Sequence, residues 1–367
     1  MNADLARYSP WLRYDSQESF RADSAATLTD SIGKAGPNVL KRKNGTVLAK
    51  AGAGLSLDFL GGYGGPTRDD FLDAVGRDYV ADARRLHAKP EYADRIYGHV
   101  VQDRKGATWL QYWFFYYYND KQFLGLGLHE GDWEMIQLRL GADGVPDAVT
   151  FAQHEKGERC GWNGVEKGAD GAPVVYVARG SHASLLRKGR HDAPVVPDEC
   201  DAKGPLVRPA LEELTLPWAE WPGLWGSTKA GSPLESSSPR GPVQHSQYTD
   251  PLTKHEAAVD CQARARDALR MAAVPQPRPP ELEARVTDGR AVVDWRLSGD
   301  VATLVLSLDS PDDELPPATY RVERPAPTGS ETLPPGLELG HSYFVIGRAV
   351  TEDGIASEPT EAPVKGS

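Results

Sequence analysis

The sequence predicts a mainly β protein, a helix-flanked β-sandwich followed by a smaller β-sandwich. Three observations carry that reading. Six consecutive aromatics, Trp113 to Tyr118, fall within "WLQYWFFYYYNDKQFLGLGLHEGDWEMIQLRL" and suit a central strand covered on both faces. Four prolines crowd "AAVPQPRPPE", Ala272 to Glu281, and forbid a helix there. Beyond them, short strand-like runs alternate with turn signals for about 90 residues.

The chain has 367 residues, about 40% apolar and 25% charged, enough for two or three domains with sizeable cores. The expected boundaries are a first domain over 1–272, a proline-rich linker over 273–280 and a second domain over 281–367. The net charge of −11 is uneven: from Arg278 onward 8 basic and 16 acidic residues give −8, leaving −3 for the rest. Neither part is basic, which argues against a nucleic-acid partner. No apolar run approaches the roughly 20 residues of a membrane-spanning helix, and "MNADLARYSPWLRYD" lacks a leader's charge and hydrophobic stretch. The expectation is a protein without a transmembrane segment, in contact with membranes at most peripherally. It is cytoplasmic as written, or exported without a classical signal. Cys160, Cys200 and Cys261 show no Cys-x-x-Cys spacing and read as buried thiols, with one disulfide open to an oxidising compartment.

Two helices are predicted in the first domain. "TRDDFLDAVGRDYVADARRL" carries Phe71, Val75, Tyr79, Ala83 and Leu86 as a stripe, with Thr67 and Asp70 as caps. "TKHEAAVDCQARARDALRMAA" opens on Thr253 and Glu256 in capping-box spacing. "GSPLESSSPRGP", Gly231 to Pro242, reads as a mobile surface loop. After the linker, "ELEARVTDGRAVVDWRL" forms two strands around Asp288-Gly289, "TLVLSLD" and "ATYRVER" are strands, and a hairpin turns at Asp353-Gly354. Trp295 ends the "AVVDW" strand and Leu337 precedes Tyr343 by six. From Pro280 to about Val364 these features resemble a fibronectin type III domain, which implies a spacer or adhesive unit.

Alternation along the aromatic strand puts Tyr112, Phe114, Tyr116, Tyr118 and Asp120 on one face, and Trp113, Phe115, Tyr117 and Asn119 on the other. In "DWEMIQLRL" Asp132 and Glu134 lead the core-facing row of Ile136, Leu138 and Leu140. Carboxylates heading a buried face cost several kcal/mol unless they are paired or hold a metal. They point into solvent, pair with Arg139, Arg179 or Arg187, or join Asp120 and a folded-back His129 around an ion. Oxygen donors with one imidazole suit Mg²⁺, Ca²⁺ or Mn²⁺. With the site empty the carboxylates repel, so Asp132→Asn is expected to leave the ion-free fold as stable or slightly more so.

"GHVV" at Gly98, "WLQYWFFYYYND", "HEGDWE", "QHEKGE" at Gln153 and "YVARGSHAS" at Tyr176 together resemble the vacuolar protein sorting-associated protein 62 family of plant, fungal and bacterial proteins. That resemblance runs from about Tyr8 to Cys261. More distantly, the region is similar to the necrosis- and ethylene-inducing-like cytolysins, whose heptapeptide Gly-His-Arg-His-Asp-Trp-Glu follows an aromatic strand ending in Lys-Asp. The cytolysin resemblance implies a divalent cation on Asp120, His129, Asp132 and Glu134. The sequence departs from the heptapeptide at Leu128, Glu130 and Gly131, so the scaffold and ion carry over more readily than the ligand.

His154 and His182 each follow a strand-like apolar run. With Tyr118, Glu155, Arg179, Ser181 and Trp225, an aromatic lip from "WPGLWG", they are candidates for a polar pocket. Three functions are open: cation-dependent binding of a small-molecule, glycan or lipid-headgroup ligand; a metal-dependent hydrolase or lyase using His154 or His182 as acid–base; or a structural ion. No Gly-x-Ser-x-Gly elbow and no His-Glu-x-x-His occurs.

Overall fold

The computed structural model describes residues 2–30, 37–74, 78–121, 128–153, 156–191, 197–214, 217–227, 238–262, 277–309, 318–334, 337, 343–352, 357 and 360–366. They form two compact units, the first ending at residue 262 and the second beginning at residue 277. Both are built mainly of strands.

The first unit is organised on a seven-stranded sheet. Its order is β16 (Ala210–Glu213), β6 (Arg95–Gln102), β7 (Thr108–Asn119), β8 (His129–Leu140), β9 (Pro146–Gln153), β10 (Lys156–Gly161) and β17 (Val259–Asp260). The aromatic run is β7, and it pairs antiparallel with β8 from Trp109↔Arg139 to Asn119↔His129. Ring contacts follow the expected alternation. Trp113 and Phe115 meet Tyr248, Trp133 and Trp225 on one face, while Tyr116 and Tyr118 meet His182 and Phe20 on the other. Trp109, Trp113, Phe114, Phe115 and Tyr116 are all buried, each worth about 1.5–3 kcal/mol of transfer free energy.

A second sheet, β12 (Ser184–Leu185), β11 (Val174–Val177), β1 (Trp11–Tyr14) and β15 (Leu206–Val207), packs through β12 against β8 and β9. The hairpin of β13 (Gly189–His191) and β14 (Asp198–Cys200) adjoins it. A third sheet runs β4 (Gly54–Leu55), β3 (Val47–Ala51), β2 (Val39–Lys41) and β5 (Phe71–Asp73). Among the described residues, five short helices flank these layers: α1 (Ala3–Arg7), α2 (Leu57–Gly62), α3 (Tyr79–His87), α4 (Ser246–Thr249) and α5 (Leu252–Ala257).

Both predicted helices are corrected by tertiary contacts. Phe71–Asp73 is a strand paired with β2, and the helix begins only at Tyr79, capped by Asp78, whose side chain accepts from the Ala81 amide at 3.0 Å. Asp70 is the cause. Its buried carboxylate accepts from Thr67 Oγ1 at 2.6 Å and Tyr63 Oη at 2.5 Å and pairs with Arg42 at 3.0 Å. These bonds fix a turn that feeds the chain into β5, overriding a helical stripe of apolar residues. The second helix stops at Ala257 because Val259 and Asp260 pair in parallel with Glu158 and Arg159. Thr253 donates to the Asp250 carbonyl, and Glu256 pairs with Arg104 and Lys105. The helix extension beyond residue 262 lies outside the described residues. Of the expected loop at 231–242, only 238–242 are described. There Ser238 is buried, and Arg240 donates to the Pro222 and Arg68 carbonyls, so this end is packed down.

Cys160 and Cys261 form a disulfide across 101 residues with Cα atoms 5.3 Å apart, while Cys200 is free and buried. The default expectation of three thiols is therefore corrected. The β10–β17 pairing brings together two cysteines that no local spacing connects.

The second unit is one seven-stranded arrangement. Its order is β21 (Ala318–Glu323), β20 (Thr303–Asp309), β23 (Phe344–Val350), β24 (Thr360–Lys365), β18 (Glu281–Thr287), β19 (Arg290–Arg296) and β22 (Thr328–Leu333). Asp288 and Gly289 turn β18 into β19 with φ of 51° and 71°, the left-handed pair of a tight hairpin. Trp295, Leu337 and Tyr343 pack in its core. The Asp353-Gly354 turn lies outside the described residues. No helix among the described residues is long and apolar enough to cross a membrane, which leaves membrane-spanning strands out of account.

Closing the 101-residue loop between Cys160 and Cys261 is worth about 4 to 5 kcal/mol in the chain-entropy treatment. Urea unfolding of the reduced protein, or of Cys261→Ser, should show a loss of that order. An unchanged midpoint on reduction would mean the crosslink contributes nothing.

Candidate functional site

The end of β7 is where the candidate residues gather. Asp120 and Lys121 follow its last residue, and β8 begins opposite with His129. The turn after β11 brings in 178–183, closed by His182 N donating to the Ala178 carbonyl at 3.0 Å and Ala178 N to the Ala183 carbonyl at 3.1 Å. Gly180 has φ +74°, and a Cβ there would stand 2.7 Å from Asp120 Oδ1. His182 holds a left-handed φ of 53°, a conformation costing about 1 to 3 kcal/mol that its surroundings must sustain.

Those surroundings are acidic. The fully buried His182 ring stacks on Tyr116 at 4.0 Å and meets the edge of Phe20 at 6.1 Å. Its Nδ1 lies 2.9 Å from Asp132 Oδ2 and its Nε2 3.5 Å from Glu18 Oε1. Glu18 accepts from the Phe20 amide at 2.8 Å and the Gly180 amide at 2.7 Å, and Asp132 accepts from Asn119 Nδ2 at 3.4 Å. Next to them Asp198 accepts from Ser181 Oγ and pairs with the Lys121 ammonium.

Burial alone would strip the proton from His182, but the Glu18 charge and the bonds to Asp132 and Glu18 outweigh it and carry the pKa up to about 10. Burial likewise works on Glu18 in the upward direction, yet the His182 charge holds its carboxyl below the usual range. Glu134 is the opposite case. Burial and then the Asp132 charge push it well above the usual range, with Lys254 and His182 opposing. Asp120 is raised by burial and by Glu18, with His182 and Arg179 opposing. The cluster thus holds one imidazolium among five carboxyl groups, of which Asp120 and Glu134 are biased toward the protonated form.

The structure brings together Asp120, Asp132, Glu134, Arg179, Ser181 and His182 from the sequence reading. Arg179 sits at the rim, 44% exposed, paired with Glu199 at 2.8 Å and bonded to Gln17. Tyr118 is half-buried and stacks on Tyr79 at 3.9 Å. His129 begins β8 with its Nδ1 2.7 Å from the Gly131 carbonyl of its own strand, and among the described residues no hydrogen bond or ion pair joins it to Asp120, Asp132 or Glu134. Trp225 is a correction, because it is fully buried among Phe115, Trp133, Trp218 and Trp221 and forms no lip. His154 and Glu155 lie outside the described residues. Glu18, Lys121 and Asp198 belong to the cluster but escaped sequence reasoning. Only Lys121, beside Asp120, lay in a stretch already under scrutiny.

Among the described residues, Asp23, His87 and Asp94 are the one trio of metal-ligating side chains whose donor atoms all lie within 4.8 Å. Arg21 already pairs with Asp94 there at 3.1 Å. No three of Asp120, His129, Asp132, Glu134 and His182 meet that spacing. The donor set around His182 is nevertheless rich in hard carboxylate oxygens. One buried polar atom at its centre, Tyr116 Oη, has no hydrogen-bond partner among the described residues.

No family model and no curated protein matches the chain. Among solved structures, one described as a toxin fold as basis for microbial attack and plant defense is similar at 10% identity, covering 58% of this chain and 73% of that chain, TM-score 0.30. A fibronectin type III-like protein from Clostridium thermocellum is similar at 19% identity, covering 25% of this chain and 94% of that chain, TM-score 0.20. A myokine structure is similar at 21% identity over 24% of this chain and 99% of that chain, TM-score 0.20.

The geometry reverses the expectation for Asp132→Asn. Removing a partner from a buried imidazolium costs more than the relieved repulsion returns, so the variant should lose about 3 kcal/mol. The sign with pH follows from His182. Its folded pKa of about 10 lies above the ordinary histidine value of 6.5, so its stabilising contribution is complete below pH 6.5 and vanishes as pH rises through about 10. The gap in stability between wild type and Asp132→Asn should therefore narrow from pH 7 to pH 10 in urea titrations. A variant as stable as wild type at pH 7 would contradict this.

Proposed function

We propose that the first unit binds a divalent cation at this cluster and through it holds a glycan or a lipid headgroup. The observation that carries the reading is the crowding of Glu18, Asp120, Asp132 and Glu134 around one buried histidine. Asp120 and Glu134 are biased toward the protonated form, by burial and then by a neighbouring carboxylate. A cation relieves such repulsion by displacing protons.

The donor chemistry fits Mg²⁺, Ca²⁺ or Mn²⁺. Asp120, Asp132 and Glu134 are the residues that would hold the ion, and a spread beyond 4.8 Å suits one that keeps several of its waters. When bound, such an ion supplies positive charge and exchangeable positions for vicinal hydroxyls or a phosphate. His182 orients Asp132, while Arg179 and Tyr118 offer a charge and a ring at the rim. The enzymatic alternative receives less support, because a histidine with a pKa raised to about 10 and no solvent exposure is a poor general base at neutral pH.

Calorimetric titration of Mg²⁺, Ca²⁺ and Mn²⁺ into the full chain tests the reading. At least one ion should bind the wild type, and Asp120→Asn and Glu134→Gln should each weaken it at least tenfold, while His87→Gln, at the other trio, should not. Retention on a glycan array or on anionic vesicles should then disappear with EDTA. Absence of binding by all three ions would defeat the proposal; an ion that binds without any cation-dependent retention would reduce it to a structural role.

A further inference from the structure

The opposite end of the central sheet, where β8 turns into β9 and β10 ends, carries a cavity of about 420 Å³. The stretch of β8 from Asp132 and Glu134 to Leu140 puts it roughly 20–27 Å from the charge cluster. Asp143, Asp147, Cys160, Trp162, Asn163 and Gln262 define its chemistry.

Trp162 is half-buried and rigidly held. Tyr8 meets its ring edge-on at 5.8 Å, and the Lys167 ammonium lies 4.5 Å from its centre while donating to the Trp162 and Val165 carbonyls at 2.7 and 2.9 Å. Around this indole, Asn163 and Gln262 present exposed amides, and Asp143 and Asp147 present exposed carboxylates. One oxygen of Asp143 accepts from the Val145 amide at 3.0 Å, and one of Asp147 accepts from Arg139 at 2.7 Å. A flat apolar surface ringed by amides and carboxylate acceptors matches a ring with one apolar face and peripheral hydroxyls. An anion would meet the Asp143 and Asp147 carboxylates.

Gln262 directly follows Cys261, and Cys160, bonded to Cys261, lines the same cavity. We propose that this cavity binds a neutral pyranose sugar and that the Cys160–Cys261 disulfide holds its Gln262 wall in place. A dithiol reductant passes two electrons and two protons to that bond, becoming a disulfide itself and leaving two thiols. Among the described residues, the strand that then leads into Gln262 is the two-residue β17, paired with Glu158 and Arg159.

The test is saturation-transfer NMR on the full chain with methyl β-glucoside, methyl α-mannoside, methyl β-galactoside and N-acetylglucosamine, with choline and acetate as controls. EDTA is present throughout, so a sugar held through a cation at the other end contributes nothing and the two readings fail separately. At least one sugar should receive saturation, reduced at least fivefold in Trp162→Ala. Asn163→Ala, an exposed change that should leave the melting temperature unmoved, should weaken the same signal, and dithiothreitol should at least halve it. No transfer to any sugar, transfer to choline alone, or signals unaffected in both variants would overturn the site. Binding undiminished after reduction would overturn the role of the disulfide.

Discussion

Carboxylates buried at one end of the central sheet are the constraint to which the first unit is fitted. Asp132 and Glu134 stand on the face that continues into Ile136 and Leu138, where an uncompensated charge costs several kcal/mol. The compensation comes from segments far away in the chain. The turn after β11 delivers His182 in a left-handed conformation that only a dense local environment sustains. Glu18 reaches in from the stretch after β1 to hold the second ring nitrogen and the Gly180 amide. Lys121 and Ser181 converge on Asp198 at the start of β14. Much of the irregular backbone at this end is explained by the need to surround acids with donors.

The start of β8 solves a different problem. Glu130 accepts from the Ala74 amide at 3.0 Å, the Ser227 amide at 2.9 Å and Tyr79 Oη at 2.8 Å, so one buried carboxylate ties β5, α3 and the tryptophan segment together. Gly131 has φ +58°, and a Cβ there would stand 1.9 Å from the Trp225 carbonyl oxygen, a distance no side chain tolerates. These are two of the positions at which the sequence departs from the cytolysin heptapeptide. Here Glu130 and Gly131 serve packing, with the backbone of Trp225 to Ser227 laid directly on the strand.

What the sequence made legible was what depends on short-range periodicity. Alternation of large aromatics placed the faces of β7, and the Asp288-Gly289 turn announced its hairpin. Asp120, Asp132 and Glu134 stood out because charge interrupted an apolar row. Local patterns failed where distant contacts decide. Phe71 and Tyr79 share a helical stripe, yet a carboxylate buried among Tyr63, Thr67 and Arg42 makes the first of them a strand residue. His129 was the nearest histidine along the chain, whereas His182, 50 residues from Asp132, is the one that reaches it. The disulfide spans 101 residues, and Trp225 looked like a rim residue only because nothing local indicated the aromatic core awaiting it.

The central claim is that the charge cluster exists to hold a cation, and diffraction from crystals soaked in Mn²⁺ tests it most directly through the metal's anomalous signal. The account predicts one peak between the carboxylates of Asp120, Asp132 and Glu134, on the His182 side of β8. A map with no peak there, or with its only peak at Asp23, His87 and Asp94, would contradict it.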